Sequence, residues 1–187
     1  MLSSSPRTKP TGRVEIEEAV IIAAADQLAS LGPSEMTVRG VAEAAGVNHA
    51  LVHRHLQTKE RVIKSALERM AAESFEEVQG RAGGQLRLTD YPRVRRYVIA
   101  LARCLIEDPT LASTQSSFPV LEHLIDSYIE HGLDRETAAA RSVAWLCAVF
   151  GAEVFGPHLA RAAGIDFDAD DGALDILASA LNPRNHK

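Results

Sequence analysis

The sequence predicts an all-α protein. Hydrophobic residues make up 46% of the 187 residues and aromatic residues only 5%, and alanine and leucine are abundant. Apolar residues recur at the three- and four-residue spacing of amphipathic helices. No alternating run of β-branched residues bounded by turn residues predicts a strand. A chain of this length can bury a sizeable core as one domain or as two small ones.

The first predicted helix runs from about Val14 to Leu31, and Gly32-Pro33 ends it. Residues 1–12 before it are polar and contain two prolines, so they are expected to form a disordered arm. Its basic residues, with Arg13, suit contact with a DNA minor groove, and a solvated tail is the alternative. The buried stripe of this helix is expected to consist of Val20, Ala24, Leu28 and Leu31.

Residues 37–59 predict two short helices joined by a tight turn and followed by a third helix. Thr37, Asn48 and Thr58 are suited to cap the three helices. Gly46 lies where the first of them ends, a position that favours a residue tolerating positive φ. Two short helices around such a turn form a helix-turn-helix, in which the second helix enters the major groove of DNA.

The second short helix is predicted to expose a polar face. Val52 and Leu56 are spaced to pack inward, with Leu51 or His55 at the edge. The residues expected to face outward are His49, Ala50, His53 and Arg54. Imidazoles and a guanidinium on one exposed face suit phosphates and base edges.

The stretch AAGVNHALVHRHLQTKE, Ala44 to Glu60, closely resembles the DNA-binding domain of the TetR family of bacterial transcriptional regulators. The resemblance covers roughly residues 14–67. This chain has His53 where the family usually has tyrosine, which introduces a titratable group, and Leu56 where it usually has phenylalanine. The resemblance implies a DNA-binding domain over residues 13–61 and a ligand-binding and dimerisation domain over residues 62–187, linked by the helix that starts at Lys59.

The resemblance also implies residue roles where positions match. His49, Ala50 and Leu51 are the expected base readers, and His53, His55 and Lys59 the expected phosphate contacts. His55 has the alternative role of a core histidine. The full set of expected DNA-binding residues is Thr37, Arg39, Asn48, His49, Ala50, Leu51, His53, Arg54, His55 and Lys59.

The C-terminal part predicts a helical bundle, with helices from Pro92 to Asp108, from Pro119 to Gly132, from Asp134 to about Phe155 and over 172–181. The third of these is apolar nearly all round and must be covered on both sides. A second subunit is the expected cover, as the TetR resemblance implies, and a buried helix in a monomer is the alternative. The expected homodimer interface consists of Ala140, Ala144, Ala148, Gly151, Ala152, Phe155, Leu174, Leu177 and Leu181.

Apolar and aromatic side chains between the linking helix and the bundle are candidates for an effector pocket. Their apolar character indicates a small, mainly apolar ligand, while plain core packing is the alternative for each of them. The candidates are Phe75, Tyr97, Leu101, Cys104, Phe118, Leu121, Ile125, Tyr128 and Trp145.

The net charge of −5 lies in the C-terminal part, because residues 1–61 hold seven basic and seven acidic residues and the rest hold thirteen and eighteen. A modest local basic surface suits a sequence-specific dimer better than a non-specific DNA coat. Cys104 and Cys147 are expected to be free buried thiols of a cytoplasmic protein. The longest uncharged apolar run, 142–152, is too short for a membrane span, so no membrane partner is expected.

Other chemistry finds little support in the sequence. The acidic run 166–172 lacks the spacing and the final glutamate of a calcium loop. No metal-ligand spacing, phosphate-binding glycine loop or nucleophile motif is present, so no catalysis, metal or cofactor is expected. The sequence therefore predicts a DNA-binding transcriptional regulator, a repressor released from a palindromic operator by a ligand. The alternative is a small-molecule- or protein-binding module of the same fold that does not read DNA.

Overall fold

The computed structural model describes residue 10 and residues 12–56, 58–79 and 91–164. Those residues form α-helices and no strand, which confirms the predicted all-α class. The helices are α1 (Arg13–Ser30), α2 (Val38–Ala44), α3 (His49–Leu56), α4 (Lys59–Gln79), α5 (Pro92–Glu107), α6 (Pro109–Ser113), α7 (Pro119–Glu130) and α8 (Arg135–Ala163).

The chain divides into two compact units. The first contains residues 1–69 and 103–116, and the second contains residues 70–102 and 117–187. The division falls inside α4, and it assigns the end of α5 and all of α6 to the first unit. The boundary expected near residue 62 concerns the division between DNA binding and ligand binding, and it remains a prediction. The two compact units are defined by contacts within the chain instead.

The first unit is built on α1, α2 and α3, which pack against one another. In α1, Val20, Ala24 and Leu28 are buried as predicted. Leu31 is 48% exposed, so its predicted place in the stripe is wrong. The helix ends at Ser30, so Leu31 is its C-cap and lies one position beyond the buried stripe.

The end of α5 is hydrogen-bonded to the loop between α1 and α2. Arg103 Nη1 donates to the Ser30 carbonyl oxygen (2.8 Å), and Glu107 Oε2 accepts the Ser34 backbone N–H (2.9 Å). The hydrogen bonds from Ser34 hold the pKa of the Glu107 carboxyl below its usual value. Each of these two hydrogen bonds joins residues that are 73 positions apart in the sequence.

Helix α6 was not predicted from the sequence, because five residues are too few to show a helical period. Asp108 caps it by accepting the Thr110 N–H (3.0 Å), and Pro109 occupies its first turn, where the missing N–H costs no hydrogen bond. The Asp108-Pro109 pair thus ends α5, as predicted, and begins a further helix.

Cys104 in α5 is fully buried, as predicted. Burial, and then the nearby carboxylates of Glu107 and Asp108, raise the pKa of this thiol from 9.0 to about 11. The folded chain keeps its thiol proton in a pH range where the unfolded chain loses it. The stability that this proton confers is therefore present below pH 9 and is lost as the pH rises through 11.

The two cysteines should accordingly differ in reactivity. At about pH 8 we expect Cys147, which is exposed in the single chain, to react rapidly with an aromatic disulfide reagent in dilute protein, and Cys104 to react only on unfolding. Chemical denaturation between pH 9 and 11 should show stability falling with pH. The Cys104→Ala variant should lose that slope, and an unchanged slope would contradict the assignment.

The second unit is centred on the buried cluster of Tyr91, Val94 and Val98, against which Val149 and Phe150 of α8 pack. Within this unit α7 packs against α8. The start of α5 is capped from α4, because Glu77 Oε2 accepts the N–H groups of Arg93 (2.8 Å) and Val94 (3.1 Å). Arg95 Nε and the Glu153 carboxylate also form an ion pair.

Helix α8 extends to Ala163, so its predicted end at Phe155 is wrong. Proline inside a helix removes one hydrogen bond and usually kinks or ends the helix, and Pro157 lies two residues beyond the predicted end. The helix nevertheless continues, with Ala160 buried in its last turns, and ends where Gly164 adopts φ 75°.

The outer face of α8 is not covered by any described residue of its own chain. Cys147 is exposed there, so the expectation that both thiols are buried is wrong for this one. The membrane-span expectation also needs correction, because α8 as a whole is long and apolar enough to cross a membrane by length and composition. Its longest uncharged apolar run, 142–152, is too short to span a bilayer, but the whole helix has 29 residues.

Several predicted features lie outside the described residues. They are most of the N-terminal arm, the expected loop from Gly80 to Asp90, and the expected last helix over 172–181 with Leu174, Leu177 and Leu181.

Candidate DNA-binding site

The turn between α2 and α3 has the backbone that its sequence predicts. Thr37 Oγ1 accepts the Gly40 N–H (3.0 Å) and so caps α2. Gly46 adopts φ 68°, and the Val47 N–H donates to the Ala42 carbonyl oxygen (3.0 Å), which closes the end of α2. The turn therefore sets the direction in which α3 leaves α2.

The requirement for glycine at position 46 comes from its positive φ and not from lack of space, because a Cβ added there would meet no atom within 4 Å. Gly46→Ala should cost about 1 kcal/mol of stability, since an L-residue pays roughly that much to adopt a left-handed conformation. Gly46→Asn should cost less, because asparagine tolerates this region better. Urea unfolding of the three proteins measures the order, and equal stabilities for alanine and glycine would contradict it.

Helix α3 is anchored on one side and exposed on the other. Val52 is 1% exposed and packs inward, while Asn48 Oδ1 accepts the Ala50 N–H (2.9 Å) at the start of the helix. Of the outward residues, His49, Ala50 and Arg54 are exposed, and Leu51 is half-buried. The side chains of His53 and His55, predicted phosphate contacts, lie outside the described part of the chain, as does that of Leu56.

An open groove of about 430 Å³ runs between α2 and the start of α3. The structure brings together here three of the predicted DNA-binding residues, Arg39, Asn48 and His49. Ala42, which is buried, and Val47 give the groove an apolar part. The six lining residues are Arg39, Ala42, Glu43, Val47, Asn48 and His49.

Glu43 is a lining residue that the sequence prediction did not include. Its Oε1 accepts a hydrogen bond from Arg39 Nε at 3.1 Å, one helical turn away. The i, i+4 spacing of the two residues on a predicted helix was available as a signal for this pair. The groove therefore carries a carboxylate beside its guanidinium.

The start of α4 forms a second polar edge of this unit. Thr58 Oγ1 accepts the Arg61 N–H at 3.3 Å, so Thr58 caps α4 as predicted. Lys59 is half-buried at the first position of the helix. The pKa of the neighbouring Glu60 is lowered by its backbone hydrogen bond and by Thr58. The positive end of the helix dipole and Lys59 together favour an anion at this edge.

The candidate effector-pocket residues do not all fall in one unit. Cys104 belongs to the first unit and is fully buried, while the other eight belong to the second. Tyr97 is buried in the core and Phe118 is 37% exposed. The half-buried candidates are Phe75, Leu101, Leu121, Ile125, Tyr128 and Trp145. Phe75 meets the His123 ring edge-on, with centroids 5.5 Å apart.

Residues 20–66 match the family model described as bacterial regulatory proteins, tetR family. The chain is also 32% identical over 184 residues to the HTH-type transcriptional repressor Rv3405c of Mycobacterium tuberculosis, with 95% of each chain covered. The chain belongs to the TetR family. The HTH-type transcriptional regulator Mb3439c of Mycobacterium bovis shows the same identity and coverage.

Solved TetR-family structures share this fold. A TetR-family regulator from Rhodococcus sp. matches with a TM-score of 0.63 at 21% identity, covering 90% of this chain and 97% of its own. A TetR variant from Acinetobacter baumannii AYE in complex with minocycline matches with a TM-score of 0.53 at 19% identity, covering 88% and 92%. With its family established, the protein is a DNA-binding transcriptional regulator, and the predicted function is confirmed at that level.

Proposed function

We propose that this TetR-family protein is a repressor that binds a palindromic operator as a homodimer and leaves it when a small, mainly apolar ligand binds. The observation that carries the proposal is the apolar face of α8, which no described residue of the chain covers. A two-fold dimer formed through it would present two reading helices to two half-sites. The M. tuberculosis relative is named a repressor, which supports repression. The protein would act by binding, in the cytoplasm, without catalysing a reaction.

The α8 apolar stripe, as we define it, lies on one face of the helix over about 22 Å, at 1.5 Å per residue. Its members are exposed or half-buried in the single chain, and none is charged. Val143 is 49% exposed, Val154 37% and Phe155 58%. The stripe consists of Ala140, Val143, Ala144, Cys147, Gly151, Val154 and Phe155.

A second copy is the occupant that suits the α8 apolar stripe best. Small residues at Ala140, Ala144 and Gly151 permit close approach of two helices. The opposite side of α8 is engaged by the second unit, where Glu153 pairs with Arg95, and this argues against a surrounding lipid. The predicted interface residues Ala148 and Ala152 are half-buried beside the stripe.

On DNA, the groove between α2 and α3 is proposed to face base edges, with His49, Ala50 and Leu51 as readers. Lys59 at the start of α4 is proposed to bind a phosphate, together with His53 and His55. Each protomer would place one such surface in a major groove. The two half-sites would then be separated by about one helical turn, ~34 Å, or a multiple of it.

The effector is proposed to bind among the half-buried apolar residues of the second unit. No residue of α7 is fully buried, although the helix carries several apolar residues. Trp145 is the only tryptophan of the chain, so its fluorescence reports on this region directly. Titration with a panel of small aromatic and aliphatic compounds should shift its emission when one of them binds.

The first experiment is selection of bound fragments from the host's genomic DNA by the purified full chain, with sequencing and a salt titration of the best fragment. Enrichment of a palindromic site is expected, with affinity falling steeply as salt rises because phosphate contacts release counterions. Retention that is weak and independent of sequence would overturn the operator proposal.

A further inference from the structure

Arg39 and Glu43, two of the six residues that line the groove between α2 and α3, form an ion pair. The side chains are 82% and 68% exposed, and the pair joins Arg39 Nε to Glu43 Oε1 at 3.1 Å. Exposed pairs at this spacing add little to folding stability. The position of the pair, beside the first residues of α3, therefore points to a role in binding.

The geometry of the pair leaves one edge of the guanidinium available. Glu43 occupies the Nε side of Arg39, and the two Nη groups make no hydrogen bond within the described residues. Two parallel N–H groups at the end of a guanidinium match the O6 and N7 acceptors of guanine, the commonest specific contact of arginine in the major groove. Arg39 lines the groove, so the end of its guanidinium that Glu43 does not engage is the part left to contact a base there.

The carboxylate also opposes the competing contact. A guanidinium beside DNA binds phosphate oxygens readily, and such contacts carry no sequence information. A negative charge next to Arg39 repels a phosphate that approaches the Nε side, whereas a guanine edge is uncharged. Arg39 is the only permanently charged cation among the six lining residues. Whether it binds a guanine or a phosphate therefore decides whether the groove contributes sequence specificity or only affinity.

We infer that Glu43 is a positioning residue that makes Arg39 a reader of a guanine in the operator rather than a contact of the DNA backbone. This inference rests on the proposed function, because it requires that the protein selects an operator. It assigns to Glu43 a share of sequence specificity without any contact between Glu43 and the base. His49 lines the same groove.

The test uses the full chain and the operator found by genomic selection, with a set of duplexes in which each base pair is changed singly. Affinities of the wild type, Glu43→Gln, Glu43→Ala and Arg39→Ala are measured by fluorescence anisotropy, with a random duplex as the non-specific reference. Asp126→Ala, which removes an exposed carboxylate from α7, serves as the charge control.

At one G·C position the wild type should prefer guanine by about tenfold, within the range of a bidentate arginine contact. Arg39→Ala and Glu43→Ala should both lose most of this preference, and Glu43→Ala should bind the random duplex several-fold more tightly than the wild type. Glu43→Gln should keep the preference, because its amide oxygen still accepts from Arg39 Nε, while its non-specific binding rises. Asp126→Ala should match the wild type.

Two results would overturn the inference while the operator itself stands. One is a Glu43→Ala protein that keeps the wild-type base preferences, and the other is a Glu43→Gln protein that loses them as fully as Glu43→Ala. A wild type that selects no operator in the first place marks a failure of the proposed function, so the two failures are distinguishable.

Discussion

Gly151→Arg should leave each protomer folded and abolish its assembly into a dimer. A Cβ built at Gly151 meets no atom within 4 Å, so the protomer itself has room for a side chain. In the proposed dimer the same position lies on the α8 apolar stripe, where a second helix approaches closely and a buried charge would have no partner. Operator affinity should fall by roughly 10²–10⁴-fold, the usual gain from joining two binding events.

Two further variants make this result specific. Gly151→Ala should raise protomer stability by about 1 kcal/mol, because glycine is a poor helix former. Ala72→Arg introduces the same charge at an exposed position of α4 and should leave both the dimer and operator affinity intact. Sedimentation measures the oligomeric state, and Cys147 labelling reports it independently, since the thiol should be protected in the dimer. A Gly151→Arg protein that stays dimeric would contradict the proposed interface.

Val52→Asp should abolish DNA binding by unfolding the first unit. Val52 is 1% exposed and anchors α3 to the core beneath it. An unpaired carboxylate at such a position costs more than about 4 kcal/mol, a large part of the stability of a small domain. The helices of the second unit have their own core, so the chain should retain part of its helical circular dichroism while operator affinity is lost.

Val14→Asp is the matched control for this variant. Val14 is 75% exposed in the first turn of α1, where a negative charge also interacts favourably with the helix dipole. It should unfold at a denaturant concentration equal to or above that of the wild type. Operator binding by the Val52→Asp protein at wild-type affinity would contradict the position assigned to α3.

The sequence could predict the local structure of the reading unit because its signals are local. Thr37, Asn48 and Thr58 each accept the backbone hydrogen bond expected of a helix cap, and Gly46 has the positive φ expected at the end of α2. Caps and turns depend on residues a few positions apart, so a single sequence records them. The expected contacts with DNA bases and phosphates remain predictions.

The errors concern α8, whose end and exposure the local sequence pattern did not determine. The helix passes through Pro157, where a proline usually kinks or ends a helix, and reaches Ala163 before Gly164 caps it. The second cysteine of the chain, Cys147, is exposed although its surroundings in the sequence are apolar. An apolar pattern indicates that a helix face is buried in the assembled protein, but it does not indicate whether the same chain or another one buries it.

The sequence by itself determined the helical class, the helix-turn-helix with its caps, and the family resemblance that the full-length relatives bear out. Only the tertiary structure decided that the end of α5 is hydrogen-bonded, through Arg103 and Glu107, to the loop between α1 and α2. It also decided that Arg39 and His49 share one groove. The physical reason is that these contacts join residues of separate helices. Helical periodicity and caps instead depend on residues a few positions apart within one helix.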